Sequence, residues 1–276
     1  MTKRNDYRAG VPCFVDTGRV DSATARDFYG GLLGWDFENV SPGGDAPPYH
    51  MAKLGGLTVA GIGTQPEQDW DPVWNTYVSV PDADATATAV ADAGGQVLMA
   101  PFDIGPAGRM AVFADPQGAE FCVWQAGQTA GAEVVNDVGA VVFNTLHTTD
   151  LPAAVEFYGT VFGWAMEAEG EQSWMIRLPG YHEDQDELVP GFSKGMEEMG
   201  APEGFADVVA AVVTDGPARW EVTFAVQSAD HSAARVRELG GTVVSEPQDL
   251  PWVRETTVRD PDGAQFVLSQ FVPPES

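Results

Sequence analysis

Only four histidines and two cysteines stand among 276 residues, so side chains able to exchange a proton near neutral pH are few. His147 ends the alternating run Phe143-Asn144-Thr145-Leu146-His147, and Glu221 begins another, Glu221-Val222-Thr223-Phe224. Alternation places every second side chain of a strand on one face, which groups Phe143 and Thr145 with His147, and Thr223 with Glu221. A histidine and a carboxylate facing each other across a cavity could abstract and return a proton or orient a water. Burial in an apolar cup is expected to raise the pKa of Glu221, which suits a base near neutrality. The competing reading leaves His147 solvated at its strand's end and pairs Glu221 with Arg254 or Arg177. Gln265, on a later strand, adds a hydrogen-bonding side chain. In the first half of the chain Phe14, Tyr77 and Trp124 offer flat apolar surface, and Asp16 and Asn75 offer polar points, a mixture suited to a planar organic ligand or to ordinary core packing. Cys122 has no partner histidine in its own half, which weakens a nucleophilic role. Arg109, in Pro106-Ala107-Gly108-Arg109-Met110, could clamp an acidic ligand group or pair with one of many acidic neighbours. No glycine-rich phosphate loop is present.

The elements that must position these residues occur twice. Phe28-Tyr29-Gly30-Gly31-Leu32-Leu33-Gly34-Trp35 returns 129 residues later as Phe157-Tyr158-Gly159-Thr160-Val161-Phe162-Gly163-Trp164, and Ala114-Asp115-Pro116-Gln117-Gly118-Ala119 returns 145 residues later as Arg259-Asp260-Pro261-Asp262-Gly263-Ala264. Two motifs recurring in one order mean a tandem duplication, with domains expected over residues 1–128 and 137–276 joined by a small, polar, glycine-containing linker. Each domain reads β-α-β-β-β twice. Helices are expected near residues 22–29, 83–93, 151–158 and 229–239, capped by acidic or hydroxyl side chains and closed at glycines. Tyr49–Leu54 and Leu57–Ile62 read as a hairpin about Gly55-Gly56. The longer second offset places an insertion near Tyr181–Gly204. Its run His182-Glu183-Asp184-Gln185-Asp186-Glu187 reads as a solvated loop, or alternatively as a lid over a pocket.

Composition narrows the partners. Hydrophobic residues make up 44% of the chain, enough for a core in each half. The net charge of −27 repels nucleic acid and anionic membrane surfaces and favours dispersion in water. Two cysteines make neither a disulfide framework nor a zinc cluster. With no apolar stretch behind the polar start and none long enough to span a bilayer, a cytoplasmic protein is expected, as monomer or homodimer.

The paired motifs, Asp21 to Trp35 with Asp115-Pro-x-Gly and Asp150 to Trp164 with Asp260-Pro-x-Gly, resemble the vicinal oxygen chelate superfamily: glyoxalase I, extradiol dioxygenases, methylmalonyl-CoA epimerase, and bleomycin- and fosfomycin-resistance proteins. Gly94-Gly95, Gly240-Gly241 and the opening Gly10-Val11-Pro12-Cys13-Phe14-Val15-Asp16 add to the likeness, which covers nearly the whole chain. It implies an α+β fold of four βαβββ modules, paired into two domains whose curved mixed sheets wrap cavities. It also implies a divalent metal held by His, Gln and Glu on the first and last strands. The matching positions fall on Phe14, Asn75 and Cys122 in one copy and on Phe143, Glu221 and Val267 in the other, with hairpin positions near Val59–Ile62 and Gly191-Phe192-Ser193. Phenylalanine and valine cannot coordinate, so no metal and no other cofactor is expected. The leading expectation is a metal-independent enzyme using His147 and Glu221 as catalytic acid and base for isomerisation, cyclisation, elimination or hydrolysis. Its substrate would be a small, natural-product-like organic molecule bound by Phe14, Asp16, Asn75, Tyr77, Cys122, Trp124, Phe143, Thr145, Thr223 and Gln265. Two alternatives remain at this stage: a non-catalytic protein that sequesters an antibiotic-like molecule, and a metal-dependent glyoxalase, lyase or dioxygenase.

Overall fold

The computed structural model describes residues 2–19, 21–41, 43, 46–64, 72–168 and 173–273. The first copy runs β1 (Pro12–Arg19), α1 (Ser22–Leu33), β2 (Asp36–Asn39), β3 (Tyr49–Leu54) and β4 (Leu57–Thr64), then β5 (Trp74–Ser79), α2 (Ala83–Asp92), β6 (Gln96–Ile104), β7 (Gly108–Ala114) and β8 (Glu120–Ala126). The second begins β9 (Val141–His147), α3 (Leu151–Phe162), β10 (Ala165–Ala168), β11 (Ser173–Arg177), α4 (Tyr181–Leu188), α5 (Phe192–Glu198) and β12 (Val208–Val213). It ends with β13 (Arg219–Ala225), α6 (Ala229–Glu238), β14 (Thr242–Val243), β15 (Gln248–Leu250), β16 (Val253–Arg259) and β17 (Gln265–Phe271). The strands form two open mixed sheets, ordered β2-β3-β4-β1-β5-β8-β7-β6 and β10-β11-β12-β9-β13-β17-β16-β14, with β15 on β16. The fold is α+β, with the four expected βαβββ modules.

Local chemistry sets the boundaries. Asp21 and Asp150 cap α1 and α3 through their side chains, and Gly34 and Gly163 close those helices in the left-handed region. Both helices run several residues past the tyrosines at which the sequence suggested they stop. The insertion is helical rather than a loop: α4 and α5 take the place of the Gly55-Gly56 turn, each entered from a left-handed glycine, Gly180 and Gly191. Arg8 holds α4 to the chain's first segment through the Gly180 carbonyl and Asp184, and Arg4 donates to Gln185.

The two large cores are shared between the copies; a small third cluster, Cys13, Tyr77 and Cys122, lies within the first. One core joins Val78, Val90, Phe113 and Phe121 of the first copy to Leu146, Phe157, Tyr158 and Trp164 of the second; the other joins Phe28, Tyr29, Trp35 and Trp74 to Phe224, Val236 and Phe266. The repeated motifs meet crosswise inside these cores. Tyr29 donates to Asp260 at 2.8 Å and Tyr158 donates to Asp115 at 3.2 Å, while Trp74 and Trp220 donate to the same two tyrosine oxygens. The Trp35 and Trp164 indoles each reach a glycine carbonyl of the opposite copy, Gly139 and Gly10, both 2.7 Å away. Gly10 and Gly139 hold φ near +88° and +86°, where a side chain would be strained. One asymmetry stands out: Arg19, fully buried, lies 2.7 Å from Asp260, whereas the matching Thr148 meets Gln117.

Asp260→Ala takes from the buried Arg19 its close carboxylate and leaves it the Gly18 carbonyl and Asp262 at 3.7 Å, an effect on the order of 3–5 kcal/mol, whereas Asp115→Ala frees only neutral donors, about 1–3 kcal/mol. Urea unfolding of the two variants should show that gap; equal losses would contradict the cross-copy ion pair.

Candidate functional site

Every second side chain of the central strands points away from the shared cores, and these faces form two cups. In the first cup Asp16 is the hub. Tyr49 and Tyr77 donate to its Oδ2 at 2.9 and 3.0 Å, and Asn75 donates to Oδ1 at 2.9 Å. Burial pushes the Asp16 carboxyl up, against the three donors and Arg19, which favour the anion. Phe14 packs edge-on to Tyr77, with ring centres 5.9 Å apart. Cys122 is buried beside them; desolvation, and then the Asp16 charge, hold its thiol well above the ordinary range, which makes it inert as a nucleophile. Trp124 lies across Gly108 and donates to the Thr129 carbonyl at 2.7 Å. The structure therefore brings Phe14, Asp16, Asn75, Tyr77 and Cys122 together, and their polar atoms are spent on one another. Tyr49 completes the group, though alternation alone did not single it out. It reaches Asp16 by crossing β4 at Gly61, where a Cβ would lie 2.0 Å from the tyrosine oxygen. A glycine on a strand at such a crossing is the signal that could have revealed it.

The second cup is built differently on the same register. Thr145 stands where Asp16 does, Ala211 where Gly61 does, Glu221 for Asn75, Thr223 for Tyr77, Val267 for Cys122 and Ser269 for Trp124. Two large rings of the first cup, Tyr77 and Trp124, are replaced by Thr223 and Ser269, while Asn75 gives way to the longer Glu221. His147 is buried, not solvated, at 5% exposure. Its Nδ1 lies 2.5 Å from Asp215 Oδ1 and its Nε2 lies 3.3 Å from Glu221 Oε2. A carboxylate only accepts, so the Asp215 contact assigns a proton to Nδ1; at Nε2 the Glu221 carboxylate calls for a second proton and the Arg219 guanidinium for a lone pair, which makes Nε2 the atom at which a proton can come and go. Asp215 lies two residues beyond the end of β12, outside any strand pattern, and the sequence reading missed it. Gln265 donates to Glu221 Oε1 at 2.8 Å, and Arg219 stands 3.8 Å from the same oxygen and 3.3 Å from His147 Nε2. Burial raises the Glu221 pKa, but the His147 and Gln265 hydrogen bonds and the Arg219 charge outweigh it and leave the group below its ordinary value. This reverses the expectation of a raised pKa. The arginine involved is Arg219; Arg254 pairs with Asp230 and Asp249, and Arg177 with Glu167. Arg109 is likewise spent on Asp84 and Asp103. Phe143 and Thr145 line the same face from β9, opposite Thr223 and Glu221 respectively.

The donor sets do not fit a divalent cation. Phe14, Phe143 and Val267 carry no donor atom, the Asp16 oxygens already accept three hydrogen bonds, and the Cys122 thiol is held protonated. Asp215 and Glu221 lie on opposite nitrogens of the His147 ring, so the three groups cannot face one point. Among the described residues no other group of three His, Cys, Asp or Glu side chains converges as a metal site. The hairpin position of the second cup is Ala211 on β12, not the Gly191-Phe192-Ser193 stretch, which belongs to the insertion.

Two mixed sheets built from βαβββ modules, with their repeated motifs locked crosswise, define a protein of the vicinal oxygen chelate architecture. The model of the glyoxalase-like domain family matches residues 13–124 and again residues 140–269, and the chain belongs to that family. It is 38% identical over 281 residues to CFP32 of Mycobacterium tuberculosis (strain CDC 1551 / Oshkosh), a provisionally named glyoxylase, with 99% of each chain covered. It is 36% identical over 279 residues to the anthracycline biosynthesis protein DnrV of Streptomyces peucetius, covering 96% of this chain and 94% of that one. Among solved structures, the Mn(II)-bound glyoxalase from Novosphingobium aromaticivorans superposes with a TM-score of 0.61 at 18% identity, over 95% of this chain and 82% of the other. No helix among the described residues is long and apolar enough to cross a membrane.

Gly61→Ala should cost about 1–3 kcal/mol by forcing Tyr49 off Asp16. Combined with Tyr49→Ala, it should add almost nothing to the loss caused by Tyr49→Ala alone, because the two share one contact. Denaturant melts of the cycle decide this; simple additivity would contradict the crossing of Tyr49 over β4.

Proposed function

We propose that this chain is an enzyme that moves a proton on a small aromatic, natural-product-like substrate in the second cup, without a metal. The observation that carries the reading is the Asp215–His147–Glu221 line, set in the cup where Thr223 and Ser269 replace the Tyr77 and Trp124 rings of its twin. Asp215 fixes the tautomer, and Nε2 takes the proton. Glu221, kept ionised by Gln265 and Arg219, stabilises the imidazolium that results. Thr145, Thr223 and Phe143 supply hydroxyl and ring contacts beside this line. Isomerisation, cyclisation and elimination all begin with such a transfer, and hydrolysis begins with the same groups acting on water. The relative named for anthracycline biosynthesis directs the substrate class toward polycyclic aromatic ketones and phenols. The first cup serves this reading as a brace: its hub carboxylate is saturated by its own neighbours. On this reading the protein works in the cytoplasm on small molecules, as monomer or homodimer, and its net charge of −27 disfavours nucleic acid as a partner.

Turnover of aryl ketones, screened by proton NMR, should fall at least about 100-fold in His147→Ala and in Glu221→Gln, with ligand affinity kept within a few-fold. Elemental analysis of the purified protein should find no stoichiometric transition metal. Binding without conversion by the unaltered protein would favour sequestration, and a stoichiometric metal lost in Glu221→Gln would overturn the metal-free reading.

A further inference from the structure

A cation rests against His147 Nε2. Arg219 begins β13 directly opposite His147 of β9, so its side chain rises from the same face, beside the imidazole. Its Nη2 lies 3.3 Å from His147 Nε2 and its Nη1 donates to the Pro217 carbonyl at 3.3 Å, while Glu221 Oε1, at 3.8 Å, is beyond hydrogen-bond reach. A guanidinium carries five N–H donors, so most of them are free to meet a ligand. The Arg219 side chain is 36% exposed, against 7% for His147 and 10% for Glu221, which sets it on the open side of that pair. The other arginine on this face is Arg259 of β16, opposite Gln265. It donates to Gln265 Oε1 at 3.3 Å, so Gln265 stands between it and Glu221. Glu255 lies farther along β16, opposite Ser269, and Thr145, opposite Glu221, adds a neutral donor. Among the described residues Arg219 is thus the only arginine or lysine in contact with His147 or Glu221. The first cup has no such pair: the residue two before Asn75 is Val73, and the residue two past Asp16 is Gly18.

We propose that Arg219 is the oxyanion-holding residue of the second cup, a catalytic group that carries the carbonyl oxygen of an enolisable ketone while His147 takes the neighbouring C–H proton. This rests on the proton-transfer reading of the same site. The oxygen and the acidic hydrogen of a ketone sit on adjacent carbons, so the base and the oxygen holder must stand side by side, as His147 and Arg219 do across the register. At rest Arg219 donates to the Nε2 lone pair and covers it. A ketone oxygen that accepts the same N–H draws the donor away and leaves the lone pair open where the α C–H arrives. The step balances without a co-reactant. The C–H proton passes to Nε2, the C–H electron pair becomes a carbon–carbon double bond, and the carbonyl π pair moves to oxygen, whose charge faces the guanidinium. The Nδ1 proton stays on its nitrogen, against Asp215. Arginine does not give up its proton, so the intermediate is an enolate rather than an enol. Return of the Nε2 proton to a conjugated carbon completes the shift of a double bond, and one base on one face suits that shift better than inversion of a centre. The substrate class is therefore the β,γ-unsaturated ketone, such as a partly reduced aromatic ring. A donor fixed where charge develops is commonly the largest contribution to such a step.

Two measurements on the full chain test this. In deuterium oxide the unaltered protein should accelerate α-proton exchange of 2-tetralone over buffer. Arg219→Gln should lose about 100- to 1,000-fold of that acceleration, chiefly in kcat, and Arg219→Lys, which keeps a cation without the planar fork, should recover part of it. The second measurement needs no turnover. 2-Naphthol has the flat shape and the oxygen of the tetralone enolate, and its ionised form absorbs at longer wavelength than its neutral form. Bound to the unaltered protein, it should ionise at lower pH than in buffer. Arg219→Gln should abolish that shift, whereas Glu221→Gln should keep or enlarge it, because the guanidinium then loses a competing anion. A shift lost equally in both variants overturns direct contact and leaves Arg219 acting through Glu221. Exchange lost in His147→Ala but intact in Arg219→Gln overturns Arg219 as the oxygen holder and leaves the base in place. Absence of acceleration by the unaltered protein overturns the proton-transfer reading, and naphthol that stays unbound or unshifted there overturns the Arg219 site itself.

Discussion

A tyrosine hydroxyl set against a buried aspartate of the opposite copy is the contact on which the architecture turns. Tyr29 meets Asp260 and Tyr158 meets Asp115, each inside a core assembled from both halves. The aspartate also organises its own turn. Asp115 Oδ1 accepts from the backbone N–H groups of Gln117 and Ala119, and Asp260 Oδ1 from those of Asp262, Gly263 and Ala264. One carboxylate therefore shapes a local turn and fastens it to a distant helix. Burying such a group is costly unless it is hydrogen-bonded, and both oxygens of each carboxylate are: Asp260 Oδ2 accepts from Arg19 and Tyr29, and Asp115 Oδ2 from Tyr158. The indoles of Trp35 and Trp164 repeat the crossing on glycine carbonyls, so each copy holds the other at matching points.

With the backs of both sheets committed to shared cores, the outward faces were free to diverge. The register is the same in both, so each cup position has a twin, and the comparison is close to a controlled substitution. The first cup carries Asp16, Tyr49, Tyr77 and Trp124 and closes on itself. The second carries Thr145, Thr223 and Ser269, with His147, Arg219 and Gln265 in contact around Glu221. Among the described residues neither brings three His, Cys, Asp or Glu side chains to one point, although the fold is that of a Mn(II)-bound glyoxalase.

Repeated motifs made the fold legible, because Phe-Tyr…Gly-Trp and Asp-Pro-x-Gly are short signals with fixed local geometry. Their crosswise meeting was not legible: nothing in either segment says that Tyr29 reaches a partner 231 positions away in its twin. The cup residues followed from strand alternation, and His147 and Glu221 do approach each other. Alternation fails where a side chain leaves its own strand, as Tyr49 does over Gly61, and it is silent on loops, which hid Asp215. The direction of the Glu221 pKa was misjudged for a related reason. Burial can be guessed from an apolar pattern, but the offsetting donors come from His147 and Gln265, neither adjacent to Glu221 in sequence. The charged run after Gly180 looked solvated because its acidic residues alternate with no apolar stripe; it is helical because a capping glycine, the anchor at Tyr181 and Arg8 supply what periodicity did not.

The division of the chain into residues 1–128 and 137–276 is a division of sequence, and the account holds that it is not one of stability. The most direct test is to produce the two halves separately and follow near-ultraviolet circular dichroism and urea unfolding, alone and mixed. The expected result is that each half alone lacks fixed aromatic packing and unfolds without a cooperative transition, while an equimolar mixture regains both. A cooperative transition and ordered aromatic signal from either half by itself would contradict the shared cores.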